Sequence, residues 1–409
     1  MKTVKWLALL MALSSPQAQA LNQEIRALFQ PDPSRPDKNG FVNKTPNSGY
    51  CAQYPGQCAA QSIFSIELPV RFTATRGLSN LYDWTSVKAP SDWRRVTVTN
   101  PETQETQTLE VRISGMGSTY VLPRRVTTIA GGSSALEGHG RLWKGGDWAN
   151  AIPAPCQYSG AGAYGDTHWR FFWKTPQAGH CFKEPAVFLP EPFYFDKLDF
   201  AYELRTPDPL KMSTGRYTGS INYSLGYAGD FDMGKLLEPD VRAITLDFVL
   251  DVQHTLKVDI PPGGDKIVLE PQGGWQRWLA GGSKPVRIFR DQTFHISASS
   301  AFSMKLECEH DMGFGSGCGI INPDTRYAGL VEVSVSLPNN ITDSAGQPVR
   351  RKPLSGQATG PFQPVSYAEN KPGTLHFEVA ATHLDWLINN AGDRPYRGNI
   401  TVIWDSEVR

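Results

Sequence analysis

Apolar residues at every second position set the terms for this chain. Phe64, Ile66, Leu68, Val70 and Phe72 alternate with Ser65, Glu67, Pro69 and Arg71. Successive side chains of a strand point to opposite faces, so such a run puts one face in a core and the other in water. The same pattern returns at Leu109, Val111 and Ile113; at Ile221, Tyr223, Leu225 and Tyr227; and at Ile244, Leu246, Phe248, Leu250 and Val252. It returns again at Val331, Val333 and Val335; at Leu375, Phe377 and Val379; and at Ile400, Val402 and Trp404. Helical periodicity is confined to residues 22–29 and a short piece near 383–389. With 38 Gly and 31 Pro punctuating the strands, the expected architecture is all-β, built of antiparallel sandwiches of the immunoglobulin kind.

The first residues have the order of an export leader. Lys2 and Lys5 precede an apolar stretch at residues 6–13, and Ala18 and Ala20 supply a small-residue cleavage site, so residues 1–20 read as a signal peptide. That stretch is far short of the roughly 20 apolar residues a spanning helix needs. Lys plus Arg and Asp plus Glu both number 40, so the net charge is zero and no basic run exists to neutralise phosphates. Nucleic acid is therefore not an expected partner. The six cysteines fall in three local couples, Cys51 with Cys58, Cys156 with Cys181 and Cys308 with Cys318. In an exported chain such couples favour near-neighbour disulfides. A zinc site at Cys308, His310 and Cys318 lacks a fourth ligand, and neither metal nor cofactor is expected.

At roughly 100–200 residues per domain, a chain of 409 residues suggests two large domains. The run at 243–252 meets a second one at Leu256, Val258 and Ile260 with only Gln253, His254 and Thr255 between them. The expected division is residues 21–254 and 255–409.

Several segments resemble the tip adhesins and assembly initiators of class 5 fimbriae, the CFA/I-type adhesins and the CblD-like pilus initiators. They are the mature start, residues 22–29 followed by Pro31, Asp32, Arg35 and Asp37; the Cys51/Cys58 and Cys156/Cys181 spacings; the segment 215–221; the junction 243–261; and the closing run 396–404. The resemblance implies two tandem immunoglobulin-like β-sandwiches, an amino-terminal adhesin domain and a carboxy-terminal pilin domain lacking its final strand. It further implies a periplasmic chaperone, an outer-membrane usher and a major pilin whose donor strand completes the fold by strand addition along Ile400, Val402 and Trp404. The chain ends five residues after Trp404, as expected of an incomplete sandwich. Residues 21–50, broken by Pro31, Pro33 and Pro36, show no alternating run able to act as a donor, which places the subunit at the fimbrium tip, reached by secretion through the periplasm to the cell surface.

A tip adhesin needs a host or surface receptor, a glycan among the choices. The family's adjacent arginine pair has no counterpart in residues 226–230, so no binding residue carries over. The densest polar-aromatic segments are Arg141, Trp143, Lys144 and Trp148, and residues 168–174 with Arg170 and Lys174. Aromatic faces stack on sugar rings and arginine forks grip carboxylates, which makes these six the ligand-binding candidates. Alternation puts Trp169, Phe171 and Trp173 on one face, the natural core face, and His168, Arg170, Phe172 and Lys174 on the other. Catalysis is not expected: a Gly-x-Ser-x-Gly elbow is missed by one position at 313–317, and His-Glu-x-x-His is absent. The competing reading is a secreted carbohydrate-active enzyme, since a pair of glycosidase carboxylates about 5–10 Å apart needs no motif. A milder one is a non-adhesive assembly initiator of the same fold.

Overall fold

A computed structural model of the chain describes residues 20–61, 63–79, 81–159, 162–313, 315 and 317–406. The leader read at residues 1–20 lies outside the described residues apart from Ala20. The chain divides into two compact units. One comprises residues up to Arg26 with Lys44–Pro207 and Tyr217–Val249; the other comprises Ala27–Asn43, Asp208–Arg216 and Leu250–Arg409. Two short segments of the amino-terminal half therefore group with the carboxy-terminal one.

The amino-terminal half begins with β1 (Ala20–Phe29), β2 (Val42–Asn43), α1 (Tyr50–Gln53), α2 (Pro55–Gln61), β3 (Ile66–Leu68), β4 (Phe72–Ala74) and β5 (Thr85–Val87). Next come β6 (Arg94–Thr99), the long β7 (Thr106–Val121), α3 (Val126–Ala130), α4 (Ala135–Leu142), β8 (Gln157–Tyr158), β9 (His168–Lys174) and β10 (Cys181–Lys183). β11 (Tyr194–Arg205), β12 (Gly215–Ser224), β13 (Leu237–Pro239) and β14 (Ala243–Val252) complete it. The large sheet runs in the order β13, β4, β11, β7, β6, β12, β14, β1, with β9 also on β7. β7 lies along β11 and divides its other edge, pairing with β6 through Thr106 to Val111 and with β9 through Gly115 to Val121. Two glycines allow this: a Cβ on Gly117 would lie 2.5 Å from the Phe171 carbonyl, and one on Gly115 would lie 2.6 Å from the Phe172 ring.

Residues 22–29 are not a helix. Leu21, Ile25 and Leu28 fit a helical spacing, but Ile25, Ala27 and Phe29 fit a strand equally well, and in β1 these three are the buried ones. Burial of one pleated face against the sheet decides between two periods that nine residues cannot separate. The expectation that residues 21–50 hold no alternating run is corrected with it.

The second unit forms two sheets. After β15 (Leu256–Asp259), α5 (Gln276–Leu279), β16 (Ile288–Ala298), β17 (Phe302–Cys308), β18 (Cys318–Ile321) and β19 (Ala328–Ser336) come β20 (Ile341–Thr342), β21 (Lys352–Pro353), β22 (Thr359–Pro364) and β23 (Ala368–Val379). α6 (Ala381–Asn389), where the sequence suggested a helix, and β24 (Ile400–Asp405) close the described fold. One sheet runs β15, β16, β23, β19, β18 and the other β20, β22, β17, β24. Phe294, Ile296, Val333, Val335, Leu375 and Phe377 from the first sheet meet Phe302, Met304, Leu306 and Phe362 from the second in one buried core. The all-β expectation holds, with more short helix than the sequence suggested: α1, α3 and α5 are too short to carry a periodic signal, and α2 and the Gly-containing α4 were not singled out. The three cysteine couples are the three disulfides of the fold.

Candidate functional site

Two places combine exposure with chemistry. The first is the edge of the four-stranded sheet in the second unit. β24 pairs with β17 in the register Leu306 to Val402 and Met304 to Trp404. On β17 those inward residues are sealed, Leu306 2% and Met304 0% exposed, whereas Ile400, Val402 and Trp404 on β24 are only half-buried against the same core. The Trp404 ring lies 4.9 Å from Phe294 and 5.8 Å from Phe302. Among the described residues β24 has one strand neighbour, and its outer edge leaves backbone donors and acceptors facing outward. Ile267, Leu269 and Trp275 are likewise half-buried on this core. The sequence reading did not single out Ile267 and Leu269, whose only signal is the brief Ile267-Val268-Leu269 alternation within a Gly/Pro-rich stretch.

The second place is β9 and its surroundings in the first unit. Trp169, Phe171 and Trp173 are buried, as alternation suggested, and Trp143 and Trp148, taken as ligand candidates, are each 1% exposed. Trp148 stacks on Trp173 with centroids 4.8 Å apart, and Trp143 donates its indole N–H to the Tyr120 hydroxyl at 3.2 Å. The two indoles belong to the core, because each buries a large apolar area while finding ring partners there. Phe172 keeps the face that alternation assigned to it, but that face is covered there: it too is buried, stacked on Tyr50 beneath the Cys51–Cys58 hairpin of α1 and α2. The four charged candidates stay nearer the surface, each with a partner. Arg141 pairs with Glu137, Lys144 with Glu184 at 2.7 Å, and Lys174 donates to Gln61.

Arg170 is different in kind. Its side chain is 11% exposed and donates to Asp199 at 2.8 Å, Glu67 at 3.1 Å and Gln53 at 2.7 Å. Asp199 also accepts the Tyr50 backbone N–H at 3.1 Å, so this charge cluster fastens the hairpin to the sheet. Burial pushes the Asp199 carboxyl above its ordinary value, opposed by the Arg170 charge and the two hydrogen bonds. A ligand reaching Arg170 would have to break an internal lock, which makes it a structural residue here.

His139 is a further buried group of this unit. The Tyr120 hydroxyl lies 2.7 Å from its Nδ1 and the Gly165 carbonyl 2.8 Å from its Nε2. The carbonyl can only accept, so Nε2 carries the proton and Nδ1 accepts from Tyr120. Burial lowers its pKa, opposed by the Gly165 hydrogen bond and by Asp147 and Asp166, while His168 adds to the lowering.

Open aromatic surface lies instead on the two-stranded sheet of β5 and β10, which the sequence reading missed. Phe182 is 47% exposed, stacks on His180 with centroids 5.4 Å apart and meets Trp84 edge-on at 4.9 Å. His180 Nδ1 sits 3.2 Å from the Ser86 hydroxyl, and Tyr82 is 81% exposed two residues before Trp84. The signal was His180-Cys181-Phe182, two rings on one strand face with a disulfide between them. Among the described residues no group of His, Cys, Asp and Glu could hold a metal ion, and no helix is long and apolar enough to cross a membrane.

No protein-family model matches the chain, and no curated protein matches it. Among solved structures it is similar to a chain of a chaperone–tip adhesin complex of CFA/I fimbriae biogenesis, at 11% identity, covering 95% of this chain and 97% of that one with a TM-score of 0.27. It is similar also to CfaE, the adhesive subunit of the CFA/I fimbria of enterotoxigenic Escherichia coli, at 9% identity, with 96% and 94% covered and a TM-score of 0.27. A third similarity is to a chain of the CsuC-CsuE chaperone-tip adhesion subunit pre-assembly complex of Acinetobacter baumannii Csu pili, at 8% identity, with 94% and 98% covered and a TM-score of 0.22. Superpositions this loose assign neither a ligand nor a partner.

Two outcomes follow from the buried charges. Arg170→Ala leaves Asp199 buried without its cation and costs about 3–5 kcal/mol, read from the denaturant midpoint of tryptophan fluorescence, and adding Asp199→Asn recovers part of the loss. For His139 the folded pKa lies below the unfolded value of 6.5. Between those two values the unfolded chain binds the extra proton, so stability is present above the unfolded value and falls as pH drops toward the folded one. Midpoints taken between about pH 7 and pH 5 fall for the wild type and fall less for His139→Gln.

Proposed function

We propose that the chain is an adhesive minor subunit at the tip of a chaperone–usher fimbrium, exported through the periplasm to the cell surface. The observation that carries this reading is β24: an edge strand whose inward residues Ile400, Val402 and Trp404 are half-open, while Leu306 and Met304, the β17 partners of Val402 and Trp404, are sealed. Such an edge is costly to leave bare, since residues 400–404 expose both an apolar row and a backbone edge with no neighbouring strand among the described residues. An added strand supplies backbone hydrogen bonds along β24 and side chains over Val402 and Trp404. A periplasmic chaperone fills the place first, and the extension of a major pilin replaces it at the outer-membrane usher. The tip position is supported by β1, which is hydrogen-bonded into the sheet of its own chain beside β14 and so is not free to complete a neighbour.

For the receptor, the reading takes the aromatic patch of Trp84, His180 and Phe182 as the ligand surface, with a glycan as ligand. The exposed Phe182 ring suits the apolar face of a sugar, and the half-buried His180 stacked on it, held from below by the buried Ser86 hydroxyl, adds a polar edge beside it. Arg141, Lys144 and Lys174 remain surface polar groups of the same unit. Trp143 and Trp148 have no part in it because the core holds them.

The strand-acceptor reading is tested with the mature chain and synthetic pilin amino-terminal extensions. A matching peptide at 100-fold above its Kd stabilises the chain by about 2.7 kcal/mol, and a charged residue at Val402 abolishes that response. A helper-free monomer that melts cooperatively and ignores every such peptide sinks the proposal. The ligand surface is tested on a glycan array: Phe182→Ala and Trp84→Ala each weaken binding from several-fold to about tenfold. Retained affinity in both variants moves the receptor site elsewhere.

A further inference from the structure

The outer face of the second unit's larger sheet carries three residues in a relay that adhesion does not use. Asp291 on β16 is the register partner of His376 on β23, and Ser336 ends the next strand, β19. His376 Nδ1 lies 2.7 Å from Asp291 Oδ1, and its Nε2 lies 2.9 Å from Ser336 Oγ. Proton positions follow from the partners. A carboxylate only accepts, so Nδ1–H donates to Asp291, Nε2 is bare, and the Ser336 hydroxyl donates to it. His376 is 8% exposed, which holds the ring in this orientation. Nucleophile, base and orienting acid are thus arranged in the order that activates a serine.

Two further observations point to reactivity. Ser336 lines a cavity of about 670 Å³, together with Asn339, Asn340, Arg350, Tyr367 and Lys371. A hydrogen-bonded ladder that only joined three strands would need no such space. The Ser336 oxygen also accepts the backbone N–H of Arg351 at 3.0 Å, and Arg351 holds φ at 42°, a left-handed conformation costly for a residue with a Cβ. The Arg351 guanidinium reaches back to Asp291 at 3.8 Å and Glu378 at 3.6 Å, so one strained residue supports both ends of the relay.

We propose that Ser336, His376 and Asp291 form a nucleophilic relay that hydrolyses small carboxylic esters of hydroxylated compounds seated in the adjoining cavity. Ser336 Oγ bonds to the ester carbonyl carbon as its proton passes to His376 Nε2. The carbon–oxygen bond to the alcohol then breaks, and the alcohol leaves with that proton. Water adds to the acyl-serine, giving a proton to Nε2 that returns to Ser336 as the carboxylic acid departs. Arg350 and Lys371 outnumber the Asp37 carboxylate on the cavity wall, so the net positive charge favours the anionic intermediate, and the amide and hydroxyl lining suits a polar alcohol. Ser336 and His376 act on the reacting atoms, and Asp291 is a positioning residue.

The test treats the full folded chain with a fluorophosphonate probe, followed by peptide mapping, with p-nitrophenyl acetate turnover in parallel. One adduct is expected, on Ser336, absent from heat-denatured chain and from Ser336→Ala. His376→Gln lowers both labelling and turnover by about 100-fold or more, and Asp291→Asn lowers them while leaving probe saturation unchanged. A folded wild type that stays unlabelled, an adduct on another residue, or labelling indifferent to His376→Gln overturns the proposal and leaves the three residues as a cross-strand polar ladder. Because the wild-type result needs no variant, a misfolded substitution cannot obscure it. The outcome is also independent of strand acceptance at β24.

Discussion

Every strand has two requirements to meet, an apolar face to bury and two backbone edges to pair, and the folded state follows from how far each strand meets them. β9 meets both to excess, with Trp169, Phe171 and Trp173 buried on one face and Phe172 covered on the other by Tyr50. β24 meets them by half, paired with β17 on one side and partly covered on its inward face. The difference separates a strand that holds a core together from one left with an open edge and a half-covered face. Burial of apolar area is non-directional, but backbone pairing is not, so only another extended segment answers both deficits of β24 at once.

In the first unit the aromatic core sets where polar groups can go. Trp143, Trp148, Trp173, Tyr120 and Phe171 fill the centre, and most polar atoms carried in with them find partners: the Trp143 N–H reaches Tyr120, the Trp173 N–H reaches the Trp148 carbonyl at 2.9 Å, and Tyr120 reaches His139, while the Trp148 indole N–H is buried without one. Lys183 is drawn in as well, its ammonium held by the carbonyls of Asp147 at 3.1 Å and Ala151 at 2.6 Å, and burial lowers its pKa to about 8. A low-dielectric interior punishes an unpaired charge, so Arg170, Asp199 and Glu67 enter together. What remains outside this network is the patch of Trp84, His180 and Phe182, where the Phe182 ring is exposed beside two half-buried rings.

The second unit separates its chemistry by face. The inward residues of β16, β19 and β23 seal the core, while outward residues of the same strands bring Asp291, Ser336 and His376 into hydrogen-bonding reach. Arg351, at φ 42°, and an open cavity lie beside Ser336 on this face. A twisted sheet with a sealed inner face is a rigid base for such a constellation, because its backbone cannot relax without disturbing the core.

Much of the fold was legible in the chain itself. Strand character at residues 66–68, 244–252 and 400–404, the near-neighbour cysteine couples and the helix near residues 383–389 are local properties, settled by spacings of two to four residues or by short loops, although the run read at 64–72 is broken at 69–71 into β3 and β4. The short β1 was not legible, since its apolar residues satisfy two periods and only packing against the sheet chose one. Nor was the fate of the tryptophans: residue type says that Trp143 and Trp148 are large and amphipathic, and only the surrounding rings say that they are core. The relay of Asp291, Ser336 and His376 lay furthest from view, because its members stand 85 and 40 residues apart and meet through strand register alone. Alternation along a strand is a property of adjacent residues and can be read directly. Which edges pair, which faces stay open and which distant side chains become neighbours depend on the whole sheet, and that is where tertiary structure decided.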